Sequence, residues 1–314
     1  MKDEPELQPG DPTSENVALL MLLRTAPRGV LWSDISAQVR FDGSAVRVLM
    51  QVQQATVGLF PDPTADAALV TARDDLAAWQ SAGFHLITVL SPEYPVQLAG
   101  VFDCPPFIFT EGTVIPADRG ISVVGSRKCS PKGERMARDA ARLLADRGLT
   151  VIAGLAEGID TAAHQEALAL GARTVAVIGT GITKHYPSSN RALQDEIARK
   201  GLVISQFYPD QPPTKTTFPM RNATMSGYGL ATIIVEAGEN SGSRIQAREA
   251  ADHGRPVILS SEVATTTSWG AAMANADSPW VYVASSGNEL ADAVDEVTQN
   301  VSESMLQSLG LVRQ

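Results

Sequence analysis

The fold is decided by residues 120–179, GISVVGSRKCSPKGERMARDAARLLADRGLTVIAGLAEGIDTAAHQEALALGARTVAVIG. Apolar runs alternate with helical stretches in this segment, and the same rhythm continues to about residue 261. The apolar runs are ISVVG, LTVIAG, RTVAVIG, GLVIS, LATIIVEA and RPVILSS. Helices are predicted over Pro131 to Arg147, Ile159 to Leu170, Arg191 to Lys200, a short stretch after Pro219, and Arg244 to His253. Strands that are apolar throughout and alternate with helices indicate a parallel sheet covered on both faces. The sequence therefore predicts an α/β fold with a doubly wound, mostly parallel sheet.

The rest of the chain predicts three further segments. Residues 1–16 are rich in proline, aspartate and glutamate and are predicted to be disordered. Apolar residues then recur at helical spacing, which predicts a small helical domain over 17–62. The α/β domain is expected to cover 63–290, with FHLITVL and PFIFT as early strands, and 291–314 to form an acidic helical tail.

Charge is distributed unevenly along the chain. The net charge of the 314 residues is -10, but the balance is -9 for residues 1–118, +5 for 119–255 and -6 for 256–314. A basic centre between acidic ends would concentrate an anionic ligand on the middle region. Cys104 and Cys129 give no disulfide framework or metal-ligand spacing, and His85, His185 and His253 have no metal partners at sensible spacing, so no metal is expected. No cofactor is expected either. The acidic start is unlike a signal peptide, and VALLMLL is too short to span a bilayer, so we expect a cytoplasmic protein without membrane contact.

Four predicted strands end in glycine or small polar residues. In a parallel sheet these ends meet at one edge, where glycine lets backbone approach an anion and each following helix presents free amides. This pattern predicts a phosphate or nucleotide site, although tight turns also serve merely to connect strand and helix. The glycine spacing matches neither GxGxxG nor a P-loop. The four stretches are Gly125-Ser126-Arg127, Gly154 to Gly158, Gly179-Thr180-Gly181, and Glu236-Ala237-Gly238 leading to Ser241-Gly242-Ser243.

The segment TFPMRN adds candidate contacts. Pro219 suits the first turn of a helix, which would place Arg221 and Asn222 near the strand ends. Arginine offers a planar fork of donors to phosphate, and asparagine offers a donor and an acceptor to a base. Lys215 and Arg173 could extend the surface. Because aromatic residues are scarce, contact through phosphates is favoured over base stacking.

Catalytic candidates are few. Asp160 and His164 are four residues apart on one helical face, but a helix-start cap and its hydrogen-bonding partner explain them better than an acid–base pair. Glu236 could be a general base or could hold a neighbouring loop. We assign no catalytic residue and expect the protein not to be an enzyme.

Several of these motifs together resemble the DNA-processing protein A family (DprA, also called Smf). They are GSR after an apolar strand, GLAEGIDTAAHQEAL, AVIGTGITKHYPSSNRAL, FPMRN and VEAGENSGS, with ITVLSPEYPVQLAGVFDCPPFIFTEG upstream. The resemblance covers roughly residues 75 to 260. It implies an extended Rossmann-like domain that binds single-stranded DNA, commonly as a homodimer, protecting strands during natural transformation and assisting RecA loading.

The resemblance also implies site residues. Arg127, Arg173, Arg221 and Asn222 would contact DNA, and the pocket floor and its amides would be formed by Gly179, Gly181, Ser241, Gly242 and Ser243.

This chain departs from the family pattern at the expected rim of the pocket. Arg244 is expected to restore part of the charge lost at Ala223. The departures are Ala223 for a second arginine after FPxRN, Ser205-Gln206 for Ser-Glu, Arg244-Ile245-Gln246-Ala247 for an apolar residue and Thr-Ala, and Ser260-Ser261 for Pro-Gly. We therefore expect a divergent member without the C-terminal winged-helix domain that often follows.

Three functions remain open at this point. Single-stranded DNA binding is the first. A sensor of a small nucleotide signal on the same fold is the second, favoured by the glycine loops and the altered rim. A nucleotide phosphoribohydrolase is the third, although its PGGxGT motif is not matched by EAGENSGSRIQAREA.

Overall fold

The computed structural model describes residues 6–56, 63–276 and 278–308. The chain divides into two compact units. The first comprises Met1–Tyr94 with Phe102–Thr110, and the second Pro95–Val101 with Glu111–Gln314.

The first unit consists of four helices and a hairpin. The helices are α1 (Pro12–Thr25), α2 (Trp32–Asp42), α3 (Ala45–Thr56) and α4 (Pro63–Ser81), and the antiparallel strands are β1 (His85–Thr88) and β2 (Phe107–Gly112). The apolar residues of α1 from Val17 to Leu23 are buried. The indole of Trp79 packs edge-on against Phe109, with 5.0 Å between ring centroids. The predicted helical domain is therefore present, and it includes a hairpin.

Both boundaries predicted for this domain are wrong. Helix α1 begins at Pro12, because Asp11 caps it by accepting a hydrogen bond from the Ser14 amide at 2.8 Å. The buried Glu15 carboxylate accepts from the Ser44 hydroxyl at 2.6 Å, so residues 12–16 are ordered rather than disordered. Residues 1–5 lie outside the described residues.

Helix α4 belongs to the first unit, although it was assigned to the α/β domain. Ala72 and Leu76 are buried, and Asp75 pairs with Arg24 of α1. The proline-rich segment PDPTAD suggested a domain linker, but packing against α1 decides where α4 belongs. Residues 57–62, which include the first two residues of that segment, lie outside the described residues.

The second unit is a parallel sheet flanked by helices. Its strands pair in the order β6-β5-β4-β3-β7-β8-β9. The strands are β3 (Gly120–Val124), β4 (Thr150–Ala153), β5 (Thr174–Val177), β6 (Leu202–Ser205), β7 (Ala231–Ile234), β8 (Val257–Ser260) and β9 (Val281–Ala284). The helices are α5 (Val96–Ala99), α6 (Pro131–Asp146), α7 (Ile159–Ala169), α8 (Arg191–Lys200), α9 (Thr217–Tyr228), α10 (Gly242–Asp252), α11 (Ser261–Thr266), α12 (Ser268–Ala274) and α13 (Gly287–Ser308). The predicted fold class is confirmed.

The strand order creates a switch point between β3 and β7. From β3 the chain proceeds outward through β4 and β5 to β6, then returns to the other side of β3 to form β7. Successive crossovers therefore leave β3 and β7 in opposite directions. In open α/β sheets, ligands bind in the crevice that this divergence leaves at the carboxyl ends of the strands.

The segment predicted to be an acidic helical tail belongs to helix α13, which packs into the core of the second unit. The helix begins at Gly287, and Ala293, Val294 and Val297 belong to the buried core beside β3 and α6. Asp295 receives a hydrogen bond from the Arg147 guanidinium at 2.7 Å. The charged face of this helix obscured its apolar stripe in the sequence. Residues 309–314 lie outside the described residues. In the part of the chain that the structure describes, no helix is long and apolar enough to cross a membrane.

Candidate functional site

A cleft of about 520 Å³ opens at the carboxyl ends of β3 and β7, at the switch point. The loop after β3, the first half of α9 and the start of α10 form its walls. Most of the predicted binding residues line it, namely Gly125, Ser126, Arg127, Arg221, Asn222, Ser241, Gly242 and Ser243.

Gly125 lies where the loop after β3 contacts the loop after β7, beside the cleft. A Cβ atom there would lie 2.6 Å from Cγ1 of Ile159 and 2.7 Å from the carbonyl oxygen of Glu236. The adjacent Ser126 amide donates to that same carbonyl at 2.8 Å. The strand-end pattern predicted that an anion approaches this glycine, but close packing of protein atoms is what requires glycine here.

The Glu236 side chain holds the start of α6. Its carboxylate accepts a hydrogen bond from the Ser130 amide at 3.0 Å and another from the Ser130 hydroxyl at 2.5 Å. Ser130 in turn caps α6 by accepting from the Gly133 amide. Of the two roles considered for Glu236, the geometry matches the loop-holding one.

Arg221 lies in the floor of the cleft and is only 6% exposed. Its Nη1 donates to the carbonyl oxygens of Gly154 and, at 2.9 Å, Val177, and its Nε donates to Oδ1 of Asn222. No carboxylate in the described part of the chain forms an ion pair with it. Burial lowers the pKa of Arg221 from its usual value, which reflects the cost of an uncompensated buried charge.

Asp160 opposes the lowering of the pKa of Arg221, but its carboxylate is hydrogen-bonded to backbone amides. It accepts hydrogen bonds from the amides of Gly154 at 3.0 Å and Ala156 at 3.3 Å, which fixes the loop between β4 and α7. Burial raises the pKa of Asp160, and the positive charge of Arg221 opposes that rise. Asp160 therefore stabilises the loop and neutralises Arg221 incompletely.

Arg127 is a second cation on the same cleft. Its side chain is exposed, and its guanidinium carbon lies 5.5 Å from the ring centroid of Phe218. The described residues provide no ion-pair partner for it. Lys132, only five positions further along, is instead paired with Glu262 at 2.8 Å.

The start of α10 forms the opposite wall. Ser241 caps the helix, and its hydroxyl accepts from the Ser243 amide at 3.2 Å. No atom lies within 4 Å of the position that a Cβ would occupy at Gly238 or Gly242. The backbone of this wall is therefore open to a ligand, and the helix N-terminus favours a negatively charged one.

The structure does not bring all predicted contacts to this cleft. Arg173 precedes β5 and so lies at the amino edge of the sheet, where its guanidinium donates to Asp118 at 2.8 Å and to the Thr113 carbonyl. Arg173 therefore lies away from the cleft, and its contact with DNA stays a prediction. Lys215 and Arg244 are exposed outside the cleft lining.

Two of the glycines predicted to bind the ligand, Gly179 and Gly181, do not line the main cleft. Gly181 packs against backbone, because a Cβ there would lie 2.1 Å from the Pro209 carbonyl oxygen. It does not line the cleft. Gly179 lines a smaller side pocket of about 70 Å³ next to the cleft.

Phe218 lines the cleft but was not among the residues predicted from the sequence. It contacts both the cleft and the side pocket, and its ring centroid lies 5.3 Å from that of Tyr186. The scarcity of aromatic residues argued against a role for aromatic side chains. The position of Phe218 in the first turn of α9, three residues before Arg221, was the available signal.

His164 is a structural residue in this arrangement. It is fully buried, and its Nδ1 lies 2.7 Å from the Thr174 hydroxyl. Burial lowers the pKa of His164 to about 3, so the ring is neutral at physiological pH. These contacts match the structural interpretation of the Asp160 and His164 pair.

The sheet and the cleft define a Rossmann-like protein with a candidate anion site at its topological switch point. The family model of DNA recombination-mediator protein A matches residues 85–290. The chain belongs to this family of DNA-processing proteins.

Curated relatives agree with the family assignment. The chain is 39% identical over 176 residues to the DNA processing protein DprA of Streptococcus pneumoniae, covering 56% of this chain and 62% of that protein. It is 32% identical over 263 residues to a putative DNA processing protein DprA of Mycobacterium tuberculosis, covering 79% and 66%. The matched region thus spans about three-fifths of the S. pneumoniae protein's length.

Solved structures show the same fold. DprA of S. pneumoniae superimposes with a TM-score of 0.65 at 27% identity, covering 88% of this chain and 92% of that one. DNA processing protein A of Helicobacter pylori, whose structure was described for its single-stranded DNA binding mode, gives a TM-score of 0.60 at 21% identity, covering 68% and 96%.

Proposed function

We propose that this protein binds single-stranded DNA by holding strand phosphates in the cleft at the switch point. One observation carries the proposal: Arg127 and Arg221 line the same cleft, and neither forms an ion pair with a carboxylate of the described residues. After burial, the positive charge of Arg127 also lowers the pKa of Arg221. A phosphate between them would supply the missing negative charge.

The energetic argument rests on burial. A charged group removed from water is costly unless a partner compensates it. Arg221 gives hydrogen bonds to neutral carbonyls, which satisfy donors but not charge. A phosphate oxygen would add a charge-assisted hydrogen bond, the stronger kind. The open amides at Gly242 supply further donors on the opposite wall.

The test is a titration of labelled single-stranded and double-stranded oligonucleotides across a salt series. Each phosphate contact with a single strand contributes about -0.7 to the slope of log affinity against log salt concentration. Contacts from Arg127 and Arg221 therefore predict a slope of about -1.4. Arg127→Ala should roughly halve it and weaken binding about tenfold or more.

Arg199→Ala is the matched control. Arg199 is exposed in the last turn of α8, away from the cleft lining, so its loss removes the same formal charge without removing a contact. Equal salt slopes for the wild type and Arg127→Ala, or binding that does not respond to salt, would overturn the proposal.

A small nucleotide is the second candidate ligand. The cleft volume of about 520 Å³ lies within the ordinary range of roughly 300–1,000 Å³ for small-molecule sites. Mononucleotides that compete with the oligonucleotide at micromolar concentration would favour this sensor role. Release of free base from a nucleoside monophosphate would instead indicate a phosphoribohydrolase, whereas we propose a non-enzymatic role.

We extend the proposal to the cellular role that the family resemblance implies. In this role, the protein acts as a cytoplasmic homodimer that protects incoming single strands of DNA and assists the loading of RecA. Light scattering of the purified chain tests the dimer, and RecA strand exchange in the presence of a single-strand binding protein tests the assistance.

A further inference from the structure

A side pocket of about 70 Å³ adjoins the main cleft at the ends of β4 and β5. Gly154 and Gly179 form part of its floor, and Tyr186 and Glu157 part of its rim. Four residues, Arg127, Ala156, Phe218 and Arg221, line both cavities. The side pocket therefore communicates with the proposed DNA site while being smaller and more enclosed.

Its size restricts what can enter. A cavity of roughly 150 Å³ accommodates benzene, and the side pocket has about half that volume. A nucleobase is larger than benzene, so it does not fit. A single phosphate group does fit. Glycine at position 179 keeps the side pocket open, because a Cβ atom there would lie 2.7 Å from the Phe218 ring.

Its charge also favours an oxyanion. Both unpaired arginines line it, and Arg221 is nine-tenths buried. Nη1 and Nε of Arg221 are bonded to protein oxygens, whereas Nη2 has no hydrogen bond to any described residue. Glu157 is the single carboxylate among the described lining residues, and Ser189 donates to it at 2.8 Å, which holds it at the rim.

We propose that the side pocket binds a phosphomonoester, so that the protein recognises a phosphorylated strand end. The terminal phosphate would enter the side pocket between Arg127 and Arg221, and the adjoining nucleoside would lie in the main cleft beside Phe218. An internal phosphodiester carries a sugar on both sides, which a pocket of this volume cannot admit. This inference rests on the proposed single-strand binding and specifies its substrate.

The experiment compares oligonucleotides of one sequence that differ at their ends. Their affinities are measured for a strand with two hydroxyl ends, one with a 5′-phosphate and one with a 3′-phosphate. A hydroxyl-ended strand one nucleotide longer controls for added charge. A phosphorylated end at one terminus should bind about tenfold more tightly, and which terminus does so identifies the end recognised. A 5′-mononucleotide, as competitor, tests whether a free nucleotide supplies the same group.

Two matched variants locate the effect. Glu157→Gln removes the negative charge at the rim of the side pocket and should raise the ratio of phosphorylated to hydroxyl-ended affinity severalfold. Glu239→Gln removes a charge between Gly238 and Asn240, which line the main cleft, and should change both affinities alike. Circular dichroism melts confirm that each variant is folded.

The outcomes separate this inference from the proposed function. Equal affinity for all four strands, with steep salt dependence, would overturn end recognition and leave single-strand binding intact. Absence of binding to every strand would overturn both. The wild-type comparison alone is decisive if a variant fails to fold.

Discussion

Gly242→Ala should separate binding from folding at the proposed site. Gly242 is the first residue of α10, its φ lies outside the left-handed region, and no atom lies within 4 Å of an added Cβ. Alanine in a helix is favoured over glycine by up to about 1 kcal/mol. The variant should therefore be as stable as the wild type or slightly more so, with a melting temperature up to about 2–4 °C higher.

Binding should change in the opposite direction. The added methyl group would occupy the space in front of the first free amides of α10, where a strand phosphate is expected. Loss of one charge-assisted hydrogen bond corresponds to about 1.5–3 kcal/mol, or roughly ten- to a hundredfold in affinity. Fluorescence anisotropy with a labelled single strand at fixed salt measures this change.

Gly287→Ala provides the control at an equivalent backbone position. Gly287 is the first residue of α13, is exposed, and also has no atom within 4 Å of an added Cβ. It should reproduce the effect on stability without any effect on DNA binding. If Gly242→Ala binds the strand as tightly as the wild type, no ligand phosphate approaches the start of α10, and that wall must be removed from the proposed site.

Two further predictions concern residues outside the cleft. Arg173→Ala should lower the free energy of unfolding by about 2 kcal/mol, measured by urea titration, because among the described residues it leaves the buried Asp118 carboxylate with the neutral donors Tyr228 and Thr150. An altered salt slope of DNA binding would contradict the position of Arg173 away from the cleft. The pKa of His164 is lowered by burial to about 3 from a usual 6.5, so as pH falls from 6.5 towards 3 the unfolded chain takes up a proton that the folded chain does not, and stability declines. His164→Asn should show a shallower decline in urea midpoints over that window, and an unchanged decline would refute the assignment.

The central sheet and its ligand edge were predictable from the sequence because both depend on local signals. A buried parallel strand must be apolar throughout, and ISVVG, TVIAG and TVAVIG satisfy this without help from distant residues. Strand ends carrying Gly125 and Glu236 then have to meet at one edge. What local signals could not provide was the reason for Gly125, which depends on Ile159 and Glu236, both distant in sequence.

The errors came from features that depend on packing or on strand direction. Strand β9 was not predicted; Val283 is exposed and three of the four strand residues are incompletely buried, so the strand lacks the fully buried apolar pattern of its neighbours. Asp295 and its charged neighbours concealed the buried Val294 and Val297 of α13. The separation of Arg173 from the cleft follows from strand direction, because a residue immediately before a parallel strand lies at the edge opposite the loops that follow the strands.

The net charge of the middle region also overestimated the extent of the basic surface available to DNA. The balance of +5 for residues 119–255 suggested a broad basic face, yet many of its cations are neutralised locally, as in the pairs of Lys132 with Glu262 and Arg147 with Asp295. Such exposed pairs contribute little to stability, but they cancel much of the field a strand would meet. Arg127 and Arg221 differ because the fold places both on one cleft without a carboxylate partner among the described residues. The absence of local pairing at the switch point, rather than the abundance of arginine, is therefore the physical reason to place the phosphate there.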